Sequence, residues 1–301
     1  MNISAYRAAM ITGASGGLGE GFAREMARRG CALVVLVGRD RDRLAGLAGQ
    51  LAAASGVTAE ILVADLASAT GLEQVEQRIH HGSPPIDLLV NAAGTLGAIG
   101  PLALQPNAGP EELIRVGVVA PVRLTQAAVQ RMVTLGGGGV INVASVTAFW
   151  PTPGAAVYSA VKAFMTSFSQ SVHGEVAAHG VHVTAVCPGS VRTRLHASAG
   201  HRGGRTGGYL DPERVVRAAL SAVAAGHPLH VPGAEYRVKT AFARYVPRLA
   251  RAYFYRRWGR PAAEAIAARL GPPPLGPPRD TAGAAAAPDP SALRPGPSRP
   301  G

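Results

Sequence analysis

The chain has 301 residues, 47% of them hydrophobic, enough to bury one sizeable core without requiring a second folding unit. Its net charge of +12 would point to nucleic acid or anionic lipid if it were spread over a face. It is concentrated instead: residues 1–235 carry 18 Lys and Arg against 15 Asp and Glu, residues 236–260 carry 8 against 0, and residues 261–301 carry 4 against 3, which disfavours nucleic acid as the general partner.

From Ala8 to Val186, short apolar runs alternate with longer segments of helical period, the pattern of repeated βαβ units around a parallel sheet. The spacing predicts strands at Ala8–Thr12, Ala32–Val37, Thr58–Val63, Asp87–Asn91, Val140–Val143 and His182–Val186, with a seventh near Leu229–Val231. Helices are predicted near Gly17–Arg29, Arg41–Ala54, Ala69–His80, Pro110–Thr134 and Ala155–His179. The longest apolar runs are of strand length, short of the roughly 20 residues a membrane helix needs, and a Gly-rich motif beginning at Gly13 leaves no room for a signal peptide. Cys31 and Cys187 each sit in an apolar segment, which predicts two reduced, buried thiols and a cytoplasmic protein. Residues 271–301 are dominated by Pro, Gly and Ala, with Leu275 and Leu293 the only large apolar side chains, and are expected to be disordered.

After the first strand comes Thr12-Gly13-Ala14-Ser15-Gly16-Gly17-Leu18-Gly19, leading into a helix. Glycines there let backbone approach a pyrophosphate, and the following helix N-terminus offers free N–H groups and a positive dipole end. Gly13, Ser15, Gly17, Leu18 and Gly19 are therefore candidate dinucleotide contacts. The 2′ position of the cofactor is read at the end of the second strand, where the chain runs Val37-Gly38-Arg39-Asp40-Arg41. Small Gly38 leaves room for a 2′-phosphate and Arg39 supplies a planar cation, which favours NADP(H) over NAD(H). Asp40 could present a carboxylate instead, or cap the next helix.

With these features on the page, the chain resembles the short-chain dehydrogenase/reductase family over roughly residues 6–235. The glycine motif, Asp65 after the third strand, Asn91-Ala92-Ala93-Gly94, Tyr158-Ser159-Ala160-Val161-Lys162 with Ser145 13 residues before the tyrosine, and Pro188-Gly189-Ser190-Val191-Arg192-Thr193 occur in the family's order. The resemblance implies a Rossmann-type doubly wound α/β sheet over 1–235 and an oxidoreductase interconverting a carbonyl and an alcohol. Residues 236–270 form a basic aromatic extension beyond it, and 271–301 the tail. Tyr158 would pass a proton to the carbonyl oxygen, Ser145 would hold that oxygen, and Lys162 would bind the nicotinamide ribose. Tyrosine and lysine four apart share one helix face, so the ammonium can favour the phenolate. Asp65 is implied as the adenine contact, with helix capping as the alternative. Asn91, Ala92, Gly94, Pro188, Gly189, Val191 and Thr193 complete the implied cofactor contacts, and a homodimer or homotetramer is the implied assembly.

One departure stands out. Gly117 occupies the position where the family usually carries an asparagine that supports a relay water, which leaves open a dinucleotide-binding regulatory protein with weak or lost catalysis. Loops at Thr95–Leu104 and Thr147–Pro153 and a lid at Arg194–Tyr209 would select the substrate, and their apolar residues point to a lipophilic carbonyl compound. His196 and His201 lack neighbouring ligands, so no metal site is expected. Residues 236–260 hold 7 of the chain's 15 aromatics beside the 8 basic residues, consistent with a helix packed over the substrate pocket or onto another subunit, a peripheral contact with anionic membrane, or nucleic acid last; Pro247 argues against one unbroken helix.

Overall fold

The computed structural model describes residues 6–97, 99–106, 108–192 and 209–271. Seven strands form one parallel sheet: β1 (Ala8–Thr12), β2 (Leu33–Gly38), β3 (Thr58–Val63), β4 (Leu88–Asn91), β5 (Gly138–Val143), β6 (Val181–Val186) and β7 (Leu229–His230), in the order β3-β2-β1-β4-β5-β6-β7. The central strands β1, β2, β4, β5 and β6 are buried because helices cover both faces of a parallel sheet, while the edge strands β3 and β7 are half-buried. One face is sealed by α1 (Gly17–Arg28), α2 (Arg41–Ser55) and α7 (Pro212–Ala224), through Phe22, Met26, Leu44, Leu51, Val216 and Leu220. The other is sealed by α3 (Ala69–His81), α5 (Ala120–Thr134) and α6 (Ala156–Val176), through Leu72, Ile79, Leu124, Met132 and Val176. This is the doubly wound α/β architecture that the alternation of elements predicts.

Boundaries follow local chemistry. Asp40 caps α2 by accepting from the Arg43 N–H at 3.1 Å, and Gly56 ends the helix in the left-handed region at φ 68. α7 is not among the helices expected from the sequence, although Asp211 at its N-cap, Pro212 at its first position and Val215, Val216, Ala219, Leu220 and Val223 on one side spell such a helix. The predicted helix Pro110–Thr134 is α4 (Ala108–Ile114), a π turn at Arg115–Val119 and α5 in succession. Cys31 and Cys187 are free and buried. Beyond β7 the chain continues as α8 (Ala234–Tyr245), α9 (Pro247–Phe254), a π turn at Tyr255–Gly259 and α10 (Arg260–Leu270). Val246, at φ −125, breaks α8 from α9 just before Pro247. Among the described residues, no helix is long and apolar enough to cross a membrane.

Candidate active site

The strand order reverses between β1 and β4, which pair with Thr12 opposite Asn91, and the crevice beyond their carboxyl ends is where this architecture binds ligands. Thr12 Oγ1 accepts from the N–H groups of Ala92 (3.1 Å) and Ala93 (3.0 Å), clamping the glycine turn to the Asn-Ala-Ala-Gly turn. Two glycines make that approach sterically feasible. Gly13 has φ +68 and a Cβ there would lie 2.8 Å from Ala93 Cα; a Cβ on Gly19 would lie 2.2 Å from the Gly13 carbonyl oxygen. Gly17 and Leu18 open α1.

Side chains cap α2, α3 and α7 through Asp40, Ser68 and Asp211; α1, like α6 and α8, has no side-chain cap, and a Cβ at its N-cap Gly16 would meet nothing within 4 Å. Free N–H groups opening onto unfilled space fit the pyrophosphate of a dinucleotide. Gly94 faces similar space, its nearest neighbour being Lys162 Nζ at 4.0 Å from a built Cβ.

At the end of β2, a Cβ on Gly38 would stand 3.3 Å from Ser15 Oγ. Arg39 is exposed and pairs with Glu112 at 3.2 Å, a partner from a helix far along the chain. Asp40 is used as the α2 cap and also meets Arg43 at 3.0 Å. Asp65 accepts from the Ala67 N–H at 3.1 Å within its own loop; the cap of α3 is Ser68, so Asp65 does not cap that helix. Asn91 directs its side chain away from the crevice: Nδ2 donates to Asn142 Oδ1 (2.8 Å) and Thr125 Oγ1 (3.2 Å), and Asn142 Nδ2 donates to Ser169 Oγ (2.9 Å). This buried polar ladder fixes α6 against the sheet.

That fixed helix carries Tyr158 and Lys162 to the carboxyl end of β5, beside Ser145. Ser145 Oγ accepts from the Thr147 N–H at 3.2 Å and so caps the short turn Val146–Phe149, and its hydroxyl also interacts with Tyr158. Strand-end capping and proximity to the tyrosine thus coexist. Lys162 Nζ donates to the Val143 carbonyl at 2.8 Å and lies 5.6 Å from the centroid of the Tyr158 ring. The ammonium faces the ring; burial raises the Tyr158 phenol above its ordinary value while the Ser145 hydroxyl pulls it back. Burial also lowers Lys162 to about 8. Burial thus acts on Tyr158 in the direction opposite to the shift toward phenolate that its spacing from Lys162 predicts.

After β6, the Pro188 carbonyl accepts from the Val146 N–H at 3.0 Å, tying the Pro-Gly turn to the Ser145 turn. Val191 bridges to Leu210, and Thr193 lies outside the described residues, as do His196, His201 and the predicted lid up to Gly208. Gly189 is covered by Tyr236 of α8: a Cβ there would fall 2.1 Å from Tyr236 Cζ, and the Ser190 N–H donates to Tyr236 Oη at 3.2 Å. The extension beyond residue 235 is thus docked onto the turn. Neither Tyr236 nor the Val143 carbonyl has a local signature; only chain path brings them to the site.

Gly117 sits in the π turn with the space over its Cα filled by Val161 of α6, Cγ1 of which would be 2.5 Å from a built Cβ. An asparagine would not fit without moving Val161, so the departure at 117 is a packing exchange between two helices.

Comparison with known proteins agrees with this geometry. The short chain dehydrogenase family model matches residues 7–202. An uncharacterised oxidoreductase of Staphylococcus aureus is 31% identical over 231 residues, covering 77% of this chain and 96% of that protein. A short-chain dehydrogenase from Sphingobium yanoikuyae, solved in complex with NADPH, superposes with a TM-score of 0.72 at 33% identity, over 81% of this chain and 94% of the other. The bulky-bulky ketone specific alcohol dehydrogenase from Comamonas testosteroni gives 0.69 at 31% identity, over 80% and 93%. Sheet order, glycine cradle, Ser-Tyr-Lys cluster and these likenesses agree: the chain belongs to the short-chain dehydrogenase/reductase family, oxidoreductases of alcohol and carbonyl groups.

Proposed function

We propose that this oxidoreductase uses NADP(H) in preference to NAD(H) and interconverts a lipophilic ketone or aldehyde and its alcohol, with Ser145, Tyr158 and Lys162 handling the proton. The observation that carries the reading is the convergence of Ser145, Tyr158 and Lys162 at the end of β5, with Lys162 facing Gly94 on the turn that packs against the glycine cradle. The nicotinamide, when bound, supplies or accepts the hydride. Tyr158, held as a phenol, donates its proton to the substrate oxygen during reduction. Ser145 holds that oxygen by donating from its hydroxyl. Lys162, fixed by Val143, stabilises the charge that develops on Tyr158. Leu96, Leu113, Ala156 and Val157 line a narrow recess beside Tyr158, and Phe149 and Trp150 lie on the neighbouring loop, which supports a lipophilic substrate.

The 2′-phosphate reading rests on Arg39, with Ser15 and Arg43 lining a cleft of about 210 Å³ between α1 and α2. The Arg39–Glu112 pair is exposed on both sides and worth at most about 1 kcal/mol. A doubly charged phosphate would therefore displace Glu112 at little cost. Arg39→Ala is expected to weaken NADPH binding about tenfold to a hundredfold, the range for losing a charged hydrogen bond, and to leave NADH binding unchanged in a fluorescence titration. Equal losses for both cofactors would remove the 2′-phosphate assignment.

The pH dependence follows from Lys162. Below about 8 its ammonium is present and supports the phenolate formed as Tyr158 gives up its proton; above that the charge is lost. The single-turnover rate of NADPH oxidation by a ketone is thus expected to fall as pH rises through about 8. A profile flat across this range would rule out a proton-dependent role for Lys162.

A further inference from the structure

We propose that the outward face of α8 and α9 docks this protein on the surface of anionic lipid bilayers. This inference lies beyond the proposed reaction and stands or falls independently of it. The observation is a helix with two apolar faces. α8 turns Tyr236, Thr240 and Ala243 inward, where they are buried, and presents Val238 (70% exposed), Phe242 (46%) and Tyr245 (79%) on the opposite side. The outward three recur at i, i+4 and i+7, the spacing of a single helical stripe. α9 adds Leu249 (62%) and Tyr253 (59%), again four apart.

Single exposed apolar side chains are ordinary on protein surfaces, but contiguous clusters mark contact sites. Here 7 of the 15 exposed large apolar side chains of the described residues fall between Val238 and Tyr255, so the feature is a cluster. All eight basic residues of the segment, Arg237, Lys239, Arg244, Arg248, Arg251, Arg256, Arg257 and Arg260, are exposed, and no acidic residue lies between positions 236 and 260. Among the described residues, only Lys239 of these eight is in an ion pair, with Glu235. Aromatic and leucine side chains interleaved with unpaired arginines match an interfacial helix, with its rings at headgroup depth and its guanidinium groups on lipid phosphates.

The platform is firmly joined to the enzyme. Tyr236 covers Gly189, and Trp150, Phe254 and Trp258 stack in series, with centroids 4.8 Å and 5.2 Å apart and planes within 13° and 3° of parallel. Trp150 lies on the loop following Ser145, so docking through α8 and α9 would bring the substrate loop close to the lipid surface. A second copy of the chain is a poorer occupant of the face, because two such surfaces would oppose like charge to like. The segment beyond Gly271 offers only Leu275 and Leu293 as large apolar side chains, too little to cover the stripe.

The test is co-sedimentation of the full chain with vesicles of phosphatidylcholine alone and with about 30% phosphatidylglycerol, at low and high salt. Binding is expected to the anionic vesicles only and to weaken with salt. Each basic residue near a bilayer contributes about fivefold in affinity, so Arg244→Ala/Arg248→Ala/Arg251→Ala should lose about a hundredfold. Phe242→Ser/Tyr245→Ser/Leu249→Ser should abolish the binding that survives at high salt. Both variants replace exposed residues outside the cofactor and Tyr158 sites, so NADPH affinity and turnover of a water-soluble ketone should match the parent and report intact folding. Absence of vesicle binding, equal binding to neutral vesicles, or an undiminished arginine variant would overturn the proposal. So would self-association that the serine variant abolishes without any vesicle binding, or duplex DNA binding tighter than that to the vesicles.

Discussion

Tyr158→Phe is expected to lower the rate of ketone-dependent NADPH oxidation about a thousandfold, within the 10² to 10⁴ that a positioned proton donor contributes, with NADPH affinity close to unchanged. The substitution removes one oxygen and leaves the ring. Lys162 keeps its hydrogen bond to the Val143 carbonyl, Ser145 keeps its contact with the Thr147 N–H, and the ladder from Asn91 to Ser169 that fixes α6 is untouched. Cofactor binding and melting temperature should therefore report an intact protein while turnover is lost. Stopped-flow absorbance of NADPH after mixing with a ketone separates the two. If the variant and the parent turned over alike, the proton would come from elsewhere. If neither turned over while both bound NADPH, the exchange of asparagine for glycine at 117 would mark a protein that binds the dinucleotide without using it.

The second large effect concerns the cradle, where substitution at two glycines three residues apart should weaken NADPH in both cases but destabilise the fold in only one. A methyl group on Gly19 would sit 2.2 Å from the Gly13 carbonyl oxygen, and a backbone atom cannot step aside as a flexible side chain can. Gly19→Ala must push α1 away from the turn, at a cost of about 3 kcal/mol, the upper end of the range for overpacked interiors, because the clash is with backbone. In a chain of this size that is a fall in melting temperature of about 6 to 12 °C, accompanied by loss of measurable NADPH binding. Gly16, by contrast, has extended backbone at φ 171, and its Cβ would enter open space. Gly16→Ala should leave the melting temperature of the free protein unchanged and still weaken NADPH, because the methyl group projects into the volume that the pyrophosphate needs. Thermal melts with and without NADPH read both quantities. Unchanged NADPH affinity in Gly16→Ala would mean that the dinucleotide does not lie over the N-terminus of α1.

Much of the site is legible in the sequence because its parts are local. The glycine turn must follow β1 and precede α1, and that order is written within a dozen residues. The four-residue spacing of Tyr158 and Lys162 fixes them to one face of α6 whatever the helix packs against. Asp40 is a fair example of a local ambiguity, since its position allowed both a ribose contact and a helix cap, and the geometry of α2 uses it as the cap. Asp211-Pro212 and the apolar spacing from Val215 to Val223 encode α7 just as locally.

The remainder depends on contacts between residues far apart in the chain. Arg39 meets Glu112, Lys162 meets the carbonyl of Val143, Gly117 makes room for Val161, and Gly189 makes room for Tyr236. In each case one partner shows no local pattern that names the other. The same holds for Tyr158: spacing alone predicts an ammonium that favours the phenolate, whereas the burial that raises the phenol is a property of the packed surroundings. The order of elements, the glycine cradle and the shared helix face of Tyr158 and Lys162 are each encoded within a few turns of helix or strand. Only packing sets the burial around Tyr158, the close fit of Gly117 against Val161 and the docking of the basic aromatic helices onto the Pro-Gly turn, because desolvation and close approach exist only once distant segments are brought together.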